Sequence, residues 1–273
     1  DSGQESVCVL PPGRFENNGD WVTSIPDEAT WLKYKHEPSD RSFSHVSVVK
    51  VVVPVSARVR TDQADIFFIQ SDKWVFHWNF TRDIVKDPGS QDLRTFNDLN
   101  YAKEERDWVC LTVTKYHDQG VYSFELAARD NFSKPSIAKV HALLVSKCYF
   151  GDKLFYRPLS KLHETIVKDP ALSAVALPLI ESDQLFGGIK YQPLTIGATY
   201  GYLRLVRADP EHEEKDVDAA KWNDILLCEG IPNDLPVISG LVTSVLQTPL
   251  CHVALLCGNR GTPNIAAVGA FED

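Results

Sequence analysis

Runs of apolar and β-branched residues are dense in the first part of the chain and predict strands there. Residues 47–55 are rich in valine and predict a strand, continued by 57–59. Residues 65–70 and 73–80 are expected to pair through a turn at Ser71 and Asp72. The clearest hairpin joins 109–116 to 121–127, because His117-Asp118-Gln119-Gly120 supplies turn residues and a glycine that tolerates positive φ. Residues 96–106 read as a loop or short helix, and 136–146, opened by Ser133 and Pro135, as the best helix of this half. Residues 157–170 read as a connection. Beyond it, 202–206 and 225–228 are strand-like, and 237–242 is an apolar strand running into a polar turn and a helix. Thr248 is expected to cap that helix, Pro249 to take its first position, and Val253, Leu255 and Leu256 to continue it.

Two side-chain patterns carry candidate chemistry. If 73–80 is a strand, Trp74, Phe76, Trp78 and Phe80 share one face and Val75, His77 and Asn79 the other. That row is either a core-facing stripe or an aromatic platform for a sugar or peptide, with Trp74, Trp78 and His77 as its binding residues. The second pattern is His252, which the expected helix start sets beside unpaired backbone N–H groups. Those groups and the helix dipole favour anions, so an imidazole there is suited to carrying a phosphoryl group.

Charge narrows the partners. Residues 171–273 hold 13 acidic and 6 basic side chains, while 1–170 hold 24 and 22. Such a balance offers no basic face for nucleic acid. The acids at 209, 211, 213, 214, 216 and 218 read as a solvated loop. No apolar run approaches the ~20 residues that cross a bilayer, so no transmembrane segment is expected and the chain reads as soluble. The six cysteines show neither a Cys-X-X-Cys pair nor a zinc-type spacing with histidine, so no metal is expected. They read as buried thiols, or as one to two disulfides if the protein is exported. Asp at position 1 and the absence of Met suggest a removed leader, tag or start residue, which leaves an extracytoplasmic location open. At 273 residues the chain is long enough for two domains.

The ordered series Pro236, Gly240, Thr243, Thr248, Pro249, Leu250, His252, Val253, Asn259, Arg260, Gly261, Thr262, Pro263 and Asn264 resembles the swivelling phosphohistidine domain of the dikinases. That family includes pyruvate phosphate dikinase, phosphoenolpyruvate synthase and the glucan water dikinases. The resemblance covers roughly 177–273, and Cys251 stands where many dikinases have Ser or Ala. The stretches 187–194 and 197–204 also resemble bacterial proteins that place such a domain before an ATP-grasp domain.

The resemblance implies an α+β protein. A β-rich N-terminal binding or docking domain (1–170) precedes a swivelling β/β/α phosphohistidine-type domain (171–273). It also implies a dikinase-like phosphotransferase module in which His252 is the catalytic carrier and Thr248 and Arg260 bind phosphate. There is no Gly-X-X-X-X-Gly-Lys-Ser/Thr loop. This chain is therefore expected to bind no nucleotide, with ATP and Mg²⁺ held by an ATP-grasp partner domain or chain. The competing reading is a non-catalytic extracellular binding or assembly protein, with a homo-oligomer or assembly as its partner, that uses the tryptophan-rich domain and a degenerate phosphohistidine domain.

Overall fold

The computed structural model describes residues 17–37, 46–59, 64–208, 210–232, 234–247 and 251–271. The chain enters through β1 (Trp21–Val22) and α1 (Glu28–Tyr34), then forms β2 (Val46–Pro54) and β3 (Phe67–Ile69). After α2 (His77–Phe80) and α3 (Leu93–Asn100) come β4 (Trp108–Tyr116), β5 (Val121–Glu125), α4 (Lys134–Lys147) and β6 (Leu154–Tyr156). The strands make one six-stranded sheet in the order β1-β3-β2-β4-β5-β6, antiparallel except for β5 and β6.

The valine run earns its central place by having no polar face. Every residue of β2 is buried, and it pairs along its whole length with β4, from Val46 opposite Tyr116 to Pro54 opposite Trp108. Alternation sends Val49, Val51 and Val53 to one side, where Trp31 of α1 and Ile137, Val140 and Leu144 of α4 cover them. Val52 and Cys110 face the other side, against Phe67, Phe80 and Phe96. Local chemistry sets the helix starts: the Asp27 carboxylate accepts the Thr30 N–H at α1, and Asp92 accepts the Thr95 N–H at α3. The 117–120 turn forms as expected, with Gly120 at φ 66°.

Two strand expectations fail in this half. Residues 57–59 form a turn. Residues 73–80 do not pair with 65–70: 71–73 turn, His77–Phe80 is helical, and a π-helical turn, Thr81–Val85, follows. The reason is that β3 already has β1 on one edge and β2 on the other, so no row of backbone groups is left for a further strand.

Residues 157–190 then carry α5 (Lys161–Val167) and α6 (Ser182–Phe186) toward the second sheet. It is built from β7 (Tyr191–Thr195), β8 (Tyr202–Val206), α7 (Pro210–Asp218), β9 (Asp224–Cys228), β10 (Gly240–Thr243), α8 (His252–Arg260) and β11 (Asn264–Ala267). The order is β7-β11-β10-β9-β8, with β8 to β11 parallel and β7 antiparallel at the edge. The acidic segment is helix rather than loop: α7 buries Val217 in the core and turns the buried Glu213 toward Arg129, 3.7 Å away. Val253 and Cys257 of α8 pack on Leu226, Cys228 and Leu241, each buried aliphatic side chain contributing roughly 1.5–3 kcal/mol.

The two sheets share a core. Val46 and Tyr116 from the first cluster with Ile180, Leu185, Phe186, Leu246 and Ala266 from the second part of the chain. Beside them the buried Arg157 guanidinium donates to Tyr116 Oη and Glu125 Oε1, both at 3.3 Å, to Ser182 Oγ at 3.1 Å and to the Leu246 carbonyl at 3.5 Å.

Candidate functional site

α8 follows the C-terminal end of the parallel strand β10, where open α/β sheets present helix N-termini and bind ligands. Thr248, Pro249 and Leu250 lie outside the described residues. The helix begins later than expected, and its cap is Cys251 rather than Thr248. Cys251 has extended backbone angles, and its Sγ accepts the Ala254 N–H at 3.4 Å. Sulfur is a weak acceptor, so this cap leaves the first N–H groups of α8 poorly satisfied. The other end is closed by Gly261 at φ 65°, whose N–H reaches the Cys257 and Gly258 carbonyls, while the Thr262 N–H reaches Cys257.

The approach to the helix is fixed by Gln247, fully buried. Its side-chain amide donates to Thr243 Oγ1 at 3.0 Å and to Asn264 Oδ1 at 2.9 Å, and its oxygen accepts from Asn264 Nδ2 at 3.1 Å. Its backbone N–H and carbonyl both bond the Gln192 side chain at 2.9 Å. Thr243 and Asn264, two members of the ordered series, thus hold the loop that delivers His252.

His252 is the first residue of α8 and is exposed. Among the described residues neither ring nitrogen has a hydrogen-bond partner. The Phe76 ring stands edge-on to it, with centroids 5.8 Å apart. Although its surface reaches solvent, the ring lies in crowded surroundings. Desolvation lowers its pKa, the Lys50 and Arg260 charges lower it further, and Asp234 opposes them. The imidazole is therefore neutral at pH 7, with one nitrogen lone pair free. Arg260 lies eight residues on, roughly 12 Å along the helix. Its Nη1 donates to the Leu235 and Pro236 carbonyls at 2.6 and 3.0 Å, so this nitrogen anchors the loop before β10.

The tryptophan row is not a row. Trp74 donates its indole N–H to Asp20 at 2.9 Å and packs edge-on to Phe80. Trp78 donates to the Ser90 carbonyl at 2.8 Å, and the Arg82 guanidinium lies 4.3 Å from its ring. Both are half-buried. His77 bonds the Leu111 carbonyl through Nε2 at 2.9 Å, and burial followed by the Lys50 charge holds its pKa down to about 3. It is a neutral donor to the sheet. The strand that would have aligned these rings does not form, because the helical turn at 77–80 rotates successive side chains by about 100° rather than 180°.

Close to His252 lies a group that the sequence did not single out. Lys50, Thr112 and Glu125 stand directly opposite one another on β2, β4 and β5, on the face that carries Cys110. Lys50 and Glu125 are buried, yet Thr112 between them keeps solvent access. The Lys50 ammonium acts electrostatically on Cys251, Cys110, His77 and His252. It has no hydrogen bond or ion pair among the described residues, and burial lowers its pKa to about 8. In sequence it reads only as an interruption of a valine run.

The five described cysteines are free thiols. Burial pushes Cys251 up to about 11, so it is a thiol and not a thiolate at pH 7. Among the described residues no group of His, Cys, Asp and Glu is arranged to hold a metal ion, and no helix is long and apolar enough to cross a membrane. Comparison with protein-family models, with curated proteins and with solved structures finds no match for the chain.

Proposed function

We propose that His252 is the phosphoryl-accepting residue of a dikinase-like phosphotransferase, served by an ATP-grasp partner that binds ATP and Mg²⁺. The observation that carries this reading is an exposed, neutral imidazole at the first position of a helix, its nitrogens without hydrogen-bond partners among the described residues. In the proposed step the free nitrogen lone pair attacks phosphorus while the bond to the departing nucleotide oxygen breaks. Mg²⁺ on the partner neutralises that oxygen, and the N–H groups at the start of α8 meet the phosphoryl oxygens. Thr248, just before the helix, is assigned to the same oxygens, and Arg260 adds positive potential from the far end. On this reading 171–273 is the swivelling carrier domain and 1–170 the domain on which it docks. The alternative of a tryptophan-based binding protein has less support, because the indole N–H groups of Trp74 and Trp78 are already bonded within the chain.

The test is to incubate the chain with an ATP-grasp domain and γ- or β-labelled ATP. An acid-labile, base-stable label that disappears in His252→Ala is expected. A wild-type chain that stays unlabelled while a competent dikinase in the same assay is labelled ends the proposal.

A further inference from the structure

Among the described residues the second sheet is packed on one face only. Strand pairing sorts its side chains into two layers. One layer holds Val206, Leu226, Cys228 and Leu241, all buried, with Val217 of α7 and Val253 and Cys257 of α8 against them. The other holds Leu203 and Leu205 of β8, Ile225 and Leu227 of β9, Val242 of β10 and Ile265 of β11, with Tyr191 of β7 at the far edge. Among the described residues none of these joins a hydrophobic core, and Leu203, Leu205 and Tyr191 are 65, 54 and 61 % exposed. The strands are nevertheless composed for burial on both sides. Ile225-Leu226-Leu227-Cys228 is apolar throughout, the pattern of a parallel strand with both faces covered. The connection from β7 to β8 crosses the open layer at the N-terminal end of the strands, where Thr199 Cγ2 lies 3.0 Å from the place of a Cβ on Gly240. It leaves Ile196 and Tyr200 exposed beside that layer.

We propose that this open layer docks on the same layer of a second copy of the chain, sheet against sheet, about a two-fold axis. Charge selects the occupant. The strand residues of the layer carry none, so a partner chosen by charge finds nothing there to pair with. Two copies, each of net charge −9, meet through it without bringing like charges together, because the acidic α7 lies against the other layer. Shape agrees, since an apolar sheet face is covered by another about 10 Å away, and a copy supplies one of equal width. Area decides how firmly the copies hold. Five strands of four or five residues make a face roughly 24 by 15 Å. Two such faces bury on the order of 1,000 Å² in total, the small end of specific interfaces. The dimer is therefore reversible rather than obligate. α8 and His252 belong to the other side of the sheet, so the contact leaves the helix start free and does not depend on phosphoryl transfer.

The experiment is analytical ultracentrifugation of the full chain from about 1 to 200 μM, a range that brackets a micromolar dissociation constant. The mass is expected to rise with concentration from 30.6 kDa toward twice that value. Leu205→Glu puts a carboxylate on the layer of each copy and should weaken association by about tenfold or more. The monomer should keep its fold, because that side chain is already exposed. Tyr202→Glu, on the same edge strand but in the opposite layer, should leave association unchanged. A monomer mass throughout overturns the proposal, and if that monomer binds an apolar dye that Leu205→Glu releases, the face belongs to a different partner. Equal association in a folded Leu205→Glu protein also overturns it. So does equal loss in Leu205→Glu and Tyr202→Glu, which means edge-to-edge pairing through β8. Should Leu205→Glu not fold, Leu203→Glu is measured in its place, with the same outcomes.

Discussion

Phe76 and His252, far apart in sequence and attached to different sheets, meet ring edge to ring face at 5.8 Å. Phe76 comes from the turn that precedes α2 and His252 from the start of α8, so the contact reports directly on how the halves are docked. Burial lowers the His252 pKa, and the phenyl ring is one of the groups packed against it. Phe76→Ala is expected to admit water and raise that pKa toward the ordinary 6.5, while costing about 1 kcal/mol of stability. Proton NMR titration of the His252 ring checks the direction. An unchanged or lower pKa means the phenyl ring does not shield it.

Gln247→Leu should cost about 3 kcal/mol or more, because Gln192, Asn264 and Thr243 lose partners inside the protein. Denaturant unfolding measures it. A loss under 1 kcal/mol means that these groups find replacements, and that Gln247 does not hold the loop before α8.

Arg157 is the buried charge at the junction of the sheets. Arg157→Met leaves Glu125 without its counter-ion and frees the Leu246 carbonyl, a loss of roughly 3–5 kcal/mol. Replacing both partners, as in Arg157→Met with Glu125→Leu, should recover much of it. Melting curves of the single and double variants decide: if the double variant is no better than the single, the cost is lost packing rather than a stranded charge.

Two buried histidines set an acid limit. His163 is held down to about 4 by burial, against only partial help from backbone bonds, and His77 to about 3. In the unfolded chain each takes a proton near 6.5, whereas the native chain does not. The unfolded state therefore binds more protons between pH 6.5 and the folded values, and stability falls as pH drops through that window. For His163 the loss approaches about 3 kcal/mol by pH 4. His163→Gln should flatten the pH dependence of the melting temperature below 6.5, and an unaltered slope would refute the assignment.

Much of the architecture was legible because it rests on local periodicity. The valine run, the hairpin closed by Gly120, the helix behind Ser133 and the strands around 202–206 and 225–228 all appear near their expected places. Misreadings came from residues whose local preference loses to context. Aromatics at 74, 76, 78 and 80 favour strand, but the occupied edges of β3 deny them a partner. The glutamates of α7 look like a loop in a charge count, although Val217 and Glu213, four residues apart, already lie on one helical face. At the site, His252 was singled out by the ordered series it shares with Thr243 and Asn264 and by the expected helix start, whereas the cap falls at Cys251, three residues after Thr248. That Lys50 and Glu125 lie on one row was invisible, because it depends on the register of three strands.

A lysine in the middle of nine residues of central strand also bears on the chain before it folds. Val46–Pro54 holds six valines in nine residues, the kind of segment that stacks with its own copies when it is exposed. A charge at its midpoint works as a gatekeeper, since stacked copies would bring like ammonium groups together. The native sheet then carries a cation that has no ion pair among the described residues. Lys50→Met should thus give a chain that is easier to bury once folded and harder to keep from aggregating while it folds.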